Sequence, residues 1–194
     1  MRRLPLYILV DNSSTTVGKP IQQVNDFIGS LIREAKFDPY LLESLHVSVL
    51  EYGGKTPQCI LELEVVDKLK VPLIQPTTNK RYLGKALDLI IQKVKTELIP
   101  TTSEQKGDWK YTLLIFLFGE SEDNYLTQIE ELKTLNPKPY KIIILGLNKN
   151  LLDKQKHITE LAFNINEIEP KEILMQMTGF IEDSIKGFSE KINN

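Results

Sequence analysis

The feature that most constrains the fold is a continuous apolar run from Leu4 to Val10, which stops abruptly in a polar loop, Asp11 to Gly18. Apolar residues that fill a short run without alternation, bounded by polar turn residues, are typical of a strand buried on both faces. Such a strand needs helices packed above and below it. The run therefore predicts an α/β protein with a largely parallel sheet.

Beyond this run the chain alternates between helix and strand patterns. Helix patterns, with apolar residues at spacings of three and four, cover residues 19–36, 82–98, 122–135, 151–156 and 170–192. Strand patterns cover residues 45–52, 58–64, 111–117 and 140–145, with a weak one at 162–165. The first two flank Gly53-Gly54, which favours an antiparallel hairpin. We predict one domain, residues 1–194, with a doubly wound, mostly parallel central sheet, one antiparallel edge strand and helices on both faces.

Net charge, cysteine count and the length of the first apolar run indicate which partners and which cellular compartment to expect. The 194 residues include 24 Lys and Arg against 26 Asp and Glu, so a net charge of −2 gives no electrostatic reason to expect nucleic acid or an anionic membrane. One cysteine, Cys59, cannot form an internal disulfide, which favours a reducing compartment. The apolar run after Met1-Arg2-Arg3 is too short to span a bilayer and precedes no cleavage site. We expect a cytoplasmic protein.

The polar loop that follows the first strand is the best candidate for a functional site. Ligands of doubly wound sheets bind outside the carboxyl ends of the strands, which here are the loops at Asp11, 77–81 and 119–123. Asp11, Ser13 and Thr15 place one carboxylate and two hydroxyl groups at alternate positions. That set suits a hard cation such as Mg²⁺ or Mn²⁺. The alternative is an ordinary loop whose Ser and Thr cap a helix.

This loop resembles that of a known family. A strand followed by Asp-x-Ser-x-Ser/Thr and a helix, in a chain with this order of elements, resembles the von Willebrand factor A domain, and is most similar to its bacterial tellurite-resistance (TerY-like) group. The resemblance covers nearly the whole chain. It is carried by Leu4 to Asp11, Gly18 to Ile21 with Val24-Asn25, Asp38 to Tyr40, Leu83 to Leu87, and Lys106 to Trp109.

The resemblance implies a metal-ion-dependent adhesion site, whose first element matches Asp11, Ser13 and Thr15. The second element, a Thr, falls at Arg81 when counted back from Leu83-Gly84. The third, an Asp, falls at Phe118 when counted back from Gly119-Glu120. Two of the three elements therefore depart from the family pattern.

Arg81 has a physical consequence for this site. A guanidinium has no lone pair to donate and stays charged. Two unit charges 4 Å apart repel by about 4 kcal/mol at an effective dielectric near 20, and a divalent ion would feel roughly twice that. Arg81 could instead pair with Asp11 and take the place of the cation. We expect a degenerate site without metal, unless Thr77 or Thr78 supplies the missing hydroxyl and Glu120, Glu122 or Asp123 a carboxylate.

The sequence is compatible with three functions. The resemblance implies a protein-interaction module of a bacterial stress or tellurite-resistance system that acts with a kinase or a phosphatase. A partner carboxylate could then pair with Arg81 directly, and Ser14, Arg81 and Glu120 are the predicted partner-binding residues. The alternatives are a metal-dependent phosphohydrolase that uses Asp11 with a Lys such as Lys149, and a structural subunit of a larger assembly. We predict no catalytic residues, because Ser13 stands where the phosphohydrolase loop needs an acid.

Overall fold

A six-stranded sheet forms the centre of the computed structural model, which describes residues 1–179. Its strands are β1 (Leu4–Val10), β2 (Leu45–Glu51), β3 (Gln58–Val65), β4 (Thr112–Phe116), β5 (Lys141–Gly146) and β6 (Ala162–Asn164). They lie in the order β3-β2-β1-β4-β5-β6. All neighbours are parallel except β2 and β3. The predicted doubly wound sheet with one antiparallel edge strand is confirmed.

Helices connect these strands. They are α1 (Lys19–Phe37), α2 (Pro39–Ser44), α3 (Leu83–Glu97), α4 (Leu126–Thr134) and α5 (Lys149–Lys154), with 3-10 turns at Ser14–Thr16 and Gln155–His157. Residues 170–179 are also helical. The remainder of the predicted last helix lies outside the described residues. Among residues 1–179 no helix combines the length and the apolar character needed to cross a membrane.

Two helices differ from the sequence prediction. No helix was predicted between residues 36 and 45, but Asp38 accepts hydrogen bonds from the backbone N–H groups of Tyr40 and Leu41 and so starts α2. The helix predicted at 122–135 begins only at Leu126. Its expected first turn is instead an irregular segment, because Asp123 accepts from the start of α3.

The sheet is covered on both faces by apolar helix surfaces. Every residue of β1 is buried. Its Leu6 and Ile8 pack with α1 and the helical residues 170–179 in one core, whereas Tyr7 and Leu9 pack with α3 and α4 in the other. Successive side chains of a strand point to opposite faces, so a continuous apolar run is what a sheet buried on both faces requires.

The sheet register brings three loops to one edge. Val10, the last residue of β1, pairs with Glu51 at the end of β2 and with Phe116 at the end of β4. Asp11 N–H continues the ladder by donating to Phe116 O at 3.2 Å, and Tyr52 N–H donates to Val10 O at 3.0 Å. The segments after β1, β2 and β4 therefore meet beside Asp11.

Candidate functional site

The guanidinium of Arg81 lies against the polar loop that follows β1. Its Nε is 2.9 Å from Asp11 Oδ2. Its Nη2 donates to Ser13 Oγ at 2.9 Å and also to Thr15 Oγ1. The Asp11 side chain is fully buried, and only 9% of the Arg81 side chain is exposed. The structure therefore gathers all three residues of the predicted first element around one internal cation.

The Asp11 carboxylate receives donors from three segments of the chain. Ser13 N–H donates to Oδ1 at 3.0 Å, and Phe118 N–H donates to Oδ2 at 3.2 Å. Arg81 supplies the opposite charge from the segment before α3. A buried carboxylate is costly unless it is both paired and hydrogen-bonded, and this one meets both conditions.

The backbone around Arg81 explains why its side chain points inward. Arg81 forms an isolated antiparallel bridge with Gly53, and Arg81 O accepts from Glu122 N–H at 3.1 Å. Nη1 donates to Glu120 O at 3.2 Å. A Cβ atom at Gly119 would collide with Nη1, so the guanidinium fits only because residue 119 has no side chain. Arg81 thus ties together the loops that follow β1, β2 and β4.

Tyr52 forms the floor beside this ion pair. Its side chain is buried, and its hydroxyl donates to Phe116 O at 2.6 Å. Burial raises the pKa of Tyr52 well above its usual value, and the negative charge of Asp11 raises it further. The phenol therefore stays neutral and acts as a hydrogen-bond donor at the end of β4.

The residues present do not fit a divalent cation. A metal ion needs free lone pairs on its ligands, but the oxygens of Asp11, Ser13 and Thr15 already accept from the Arg81 guanidinium. Phe118, at the position of the third element, offers Asp11 a backbone N–H donor. A cation at this point would also lie beside a fixed positive charge.

Most of the other side chains that could complete a metal site have their own contacts. Thr77 Oγ1 donates to Gly53 O at 3.1 Å. Glu120 pairs with Lys154, which lowers the pKa of the Glu120 carboxyl, and Glu122 pairs with Lys80 at 3.1 Å. Thr78 is exposed.

Asp123 is the third carboxylate of this group, and it acts as a helix cap. It accepts from the N–H groups of Gly84 and Lys85, both at 3.1 Å. Within residues 1–179 there is no group of three or more His, Cys, Asp or Glu side chains placed to hold a metal ion.

The predicted partner-binding residues differ in accessibility. Ser14 and Glu120 are exposed at the rim of the site. Arg81 is buried, and four of its N–H groups point at acceptors of this chain, on Asp11, Ser13, Thr15 and Glu120. A partner carboxylate that forms a bidentate pair with Arg81 would have to displace the hydroxyl groups of Ser13 and Thr15 from the guanidinium. The rim, rather than the guanidinium, is the part of the site that another protein can reach.

Sequence reasoning missed a pocket next to the ion pair. It has a volume of about 310 Å³ and lies between the β2–β3 turn and residues 77–79. Asn12 joins it to the Asp11 loop, because Asn12 Oδ1 accepts from Gly53 N–H at 2.6 Å. Glu51 lines this pocket. Its place at the end of a strand pattern carried no sequence signal.

Comparison with known proteins agrees with this architecture. The sequence matches the family model of the von Willebrand factor type A domain over residues 6–180. The fold is similar to that of the SpRpn10 VWA domain, with a TM-score of 0.55 and 13% identity over 84% of this chain and 83% of that one. A search of curated proteins gives no match.

A second solved structure, proximal thread matrix protein 1 from the mussel byssus, has a TM-score of 0.52 and 13% identity over 76% of this chain and 38% of that one. Another structure of that mussel protein has zinc in its metal-ion-dependent adhesion site (MIDAS) motif. It has a TM-score of 0.47 and 13% identity over 75% of this chain and 36% of that one. The zinc is a property of the mussel protein. Since the family model spans nearly all of the described residues, the chain belongs to the von Willebrand factor type A domain family.

Proposed function

We propose that this chain binds a protein partner through the loops at the carboxyl ends of its strands and does so without a bound metal ion. The von Willebrand factor A domain is a common protein-interaction module. The observation that carries the metal-independent part is the contact of Arg81 with Asp11, Ser13 and Thr15. An internal cation already neutralises the carboxylate that a metal ion would need.

The partner surface in this proposal is the exposed rim around the ion pair. Ser14 lies on the 3-10 turn after β1, and its N–H donates to Asn79 O at 2.9 Å, so the turn is fixed to the neighbouring loop. Glu120 lies across the site, where its backbone carbonyl holds Arg81 and its side chain reaches Lys154. A partner that contacts both sides would cover the ion pair. The resemblance seen in the sequence supports a kinase or a phosphatase as that partner.

The experiment compares partner capture by the tagged protein from its own cells in EDTA and in Mg²⁺. We expect equal capture in both, and loss of the same proteins with Ser14→Arg or Glu120→Arg. Glu104→Arg is the matched control, because Glu104 is exposed in the loop that Arg3 and Asp108 hold at the amino end of β1. Capture that needs Mg²⁺, or that survives both rim variants, would refute the proposal.

The proposal also assigns no catalytic role to Asp11. Both carboxylate oxygens accept from donors of this chain, which leaves the carboxylate poorly placed to act as a nucleophile. Lys149 is exposed at the start of α5. We expect hydrolysis of a generic phosphate ester at the buffer rate, by the wild type and by Asp11→Asn alike. Turnover that Asp11→Asn abolishes would establish the enzyme alternative.

A further inference from the structure

The pocket beside the ion pair holds a carboxylate, that of Glu51, which forms no ion pair of its own in the described part of the chain. Glu51 is half-buried and ends β2, one residue before Tyr52 of the site floor. Among the described residues Glu51 takes part in no ion pair within 4.0 Å. Burial raises the pKa of the Glu51 carboxyl, and a hydrogen bond from Asn12 opposes that rise. A carboxylate that has lost part of its hydration gains more than an exposed one from an incoming positive charge.

Apart from Lys55, the other side chains that line the pocket with this carboxylate are neutral and polar. Thr56, Gln58 and Asn79 line the pocket with a hydroxyl and two amide groups. Asn12 is fixed by bonds to Gly53 N–H and Gln75 O, at 2.6 and 3.1 Å, and its amide therefore keeps a constant orientation. The Glu51 carboxylate, together with the hydroxyl and amide oxygens of these residues, can accept hydrogen bonds from a ligand with several N–H donors.

The size of the pocket favours a side chain over a bare ion. About 310 Å³ is at the lower end of the range of small-molecule sites. One carboxylate gives a divalent ion little charge compensation, whereas a guanidinium carries one charge and a planar fork that matches a carboxylate. Arginine is also less strongly hydrated than lysine, which lowers the cost of moving it into a half-enclosed site.

We propose that this pocket receives an arginine side chain of the protein partner, with its guanidinium paired to Glu51. The proposal rests on the proposed function for the existence of a partner, but the pocket itself can be tested without one. Glu51 also lies next to the rim already described, since Asn12 and Gly53 connect the two. One partner loop could thus cover the ion pair and place an arginine in the pocket.

Lys55 is the internal competitor of this ligand. It is exposed and lines the same pocket, but it forms no ion pair with Glu51 in the described structure. Its charge weakens the attraction of Glu51 for another cation. Removing Lys55 should therefore strengthen the binding of arginine, which a purely structural role of Glu51 would not explain.

The test is an amide ¹H–¹⁵N NMR titration of the full chain with N-acetyl-arginine amide, and with the neutral isostere N-acetyl-citrulline amide. We expect saturable shifts at residues 51–58 and 77–79 with the arginine compound only. Glu51→Gln should weaken this binding by about tenfold or more. Glu64→Gln, an exposed carboxylate on β3, is the matched control and should bind as the wild type does. Lys55→Ala should bind more tightly.

Equal shifts with the citrulline compound, or equal binding by wild type and Glu51→Gln, would overturn the arginine pocket. That result would not contradict metal-independent partner capture, because the Ser14→Arg and Glu120→Arg variants test capture separately. Conversely, arginine binding that depends on Glu51 would stand even if partner capture proved to need Mg²⁺. The two failures are thus distinguishable.

Discussion

A single side chain, Arg81, decides how the polar loop after β1 can work. It contacts Asp11, Ser13 and Thr15, the residues that the family pattern assigns to a cation. Counting along the sequence located Arg81 at this loop, because Leu83-Gly84 marks the start of α3. The count could not show that the guanidinium points inward, since that depends on Gly119 and on the bridge to Gly53. The pocket around Glu51 could not be found from the sequence, because Thr77 and Asn79 line it from a distant segment.

The first residue-scale prediction concerns the Asp11–Arg81 pair. Arg81→Met leaves Asp11 buried without an opposite charge, and such a loss costs about 3–5 kcal/mol. Asp11→Asn leaves the guanidinium in the same position. We expect the double variant to be much more stable than the sum of the two losses implies, as measured by urea unfolding of all four proteins. Additive losses would show that the two side chains do not interact energetically.

A second prediction is that the loop can regain a cation. Arg81→Thr removes the guanidinium and restores the hydroxyl of the family pattern, so we expect Mg²⁺ or Mn²⁺ to bind this variant more tightly than the wild type. Arg81→Met is the control, since it removes the charge without adding a ligand. Calorimetry should show the ranking Arg81→Thr above both other proteins. Equal affinity in all three would mean that Arg81 does not control the cation site.

The third prediction uses the pH dependence of Glu51. Burial raises the Glu51 pKa in the folded protein, so the folded state binds this proton more tightly than the unfolded chain. The free energy of unfolding therefore falls as pH rises through the range above the ordinary Glu value of about 4.3, and the loss persists at neutral pH. Glu51→Gln avoids this loss. It should be more stable than the wild type at pH 7, with the difference vanishing below about pH 4.

Urea unfolding of wild type and Glu51→Gln at a series of pH values measures this difference. Glu64→Gln controls for the removal of one negative charge from the same hairpin. A Glu51→Gln variant that is equal to or less stable than the wild type at pH 7 would contradict the assigned burial cost.

At the scale of elements, local patterns predicted the strands, α1 and α3 well, but missed α2 and the start of α4. The buried runs at β1, β4 and β5 allow few other structures, because both faces of each strand are covered. Asp38-Pro39 directly follows α1 and starts α2, a short helix that the local pattern did not predict. The late start of α4 depends on Asp123, which serves α3 across a separation of 39 residues.

The element-scale prediction is that Asp123 stabilises α3 from a distant loop. Its carboxylate accepts from Gly84 N–H and Lys85 N–H, so Asp123→Ala leaves two helix donors without their partner. We expect a loss of about 0.5–2 kcal/mol in the free energy of unfolding, the cost of losing a helix cap. Glu122→Ala removes the neighbouring carboxylate, whose exposed pair with Lys80 contributes at most about 1 kcal/mol. A smaller loss for Asp123→Ala than for Glu122→Ala would contradict the capping role.

For the whole molecule, the sheet topology concentrates function at one end. Parallel strands end at the same edge, so the loops after β1, β2 and β4 converge there. Arg81 bridges Gly53, and Gly53 lines the same pocket as Glu51. The fold class and this edge follow from the order of apolar runs. Whether the edge holds a metal ion or an internal arginine depends on side chains, which the topology does not determine.

Thermal unfolding of the intact protein in Mg²⁺, in Mn²⁺ and in EDTA tests metal independence most directly. A metal ion at 100 times its dissociation constant would add about 2.7 kcal/mol. At about 2–4 °C per kcal/mol for a chain of this size, that stabilisation would raise the midpoint by about 5–11 °C. We predict the same midpoint in all three solutions, because the Arg81 guanidinium already contacts Asp11, Ser13 and Thr15. A rise of several degrees in either metal, reversed by EDTA, would contradict the account.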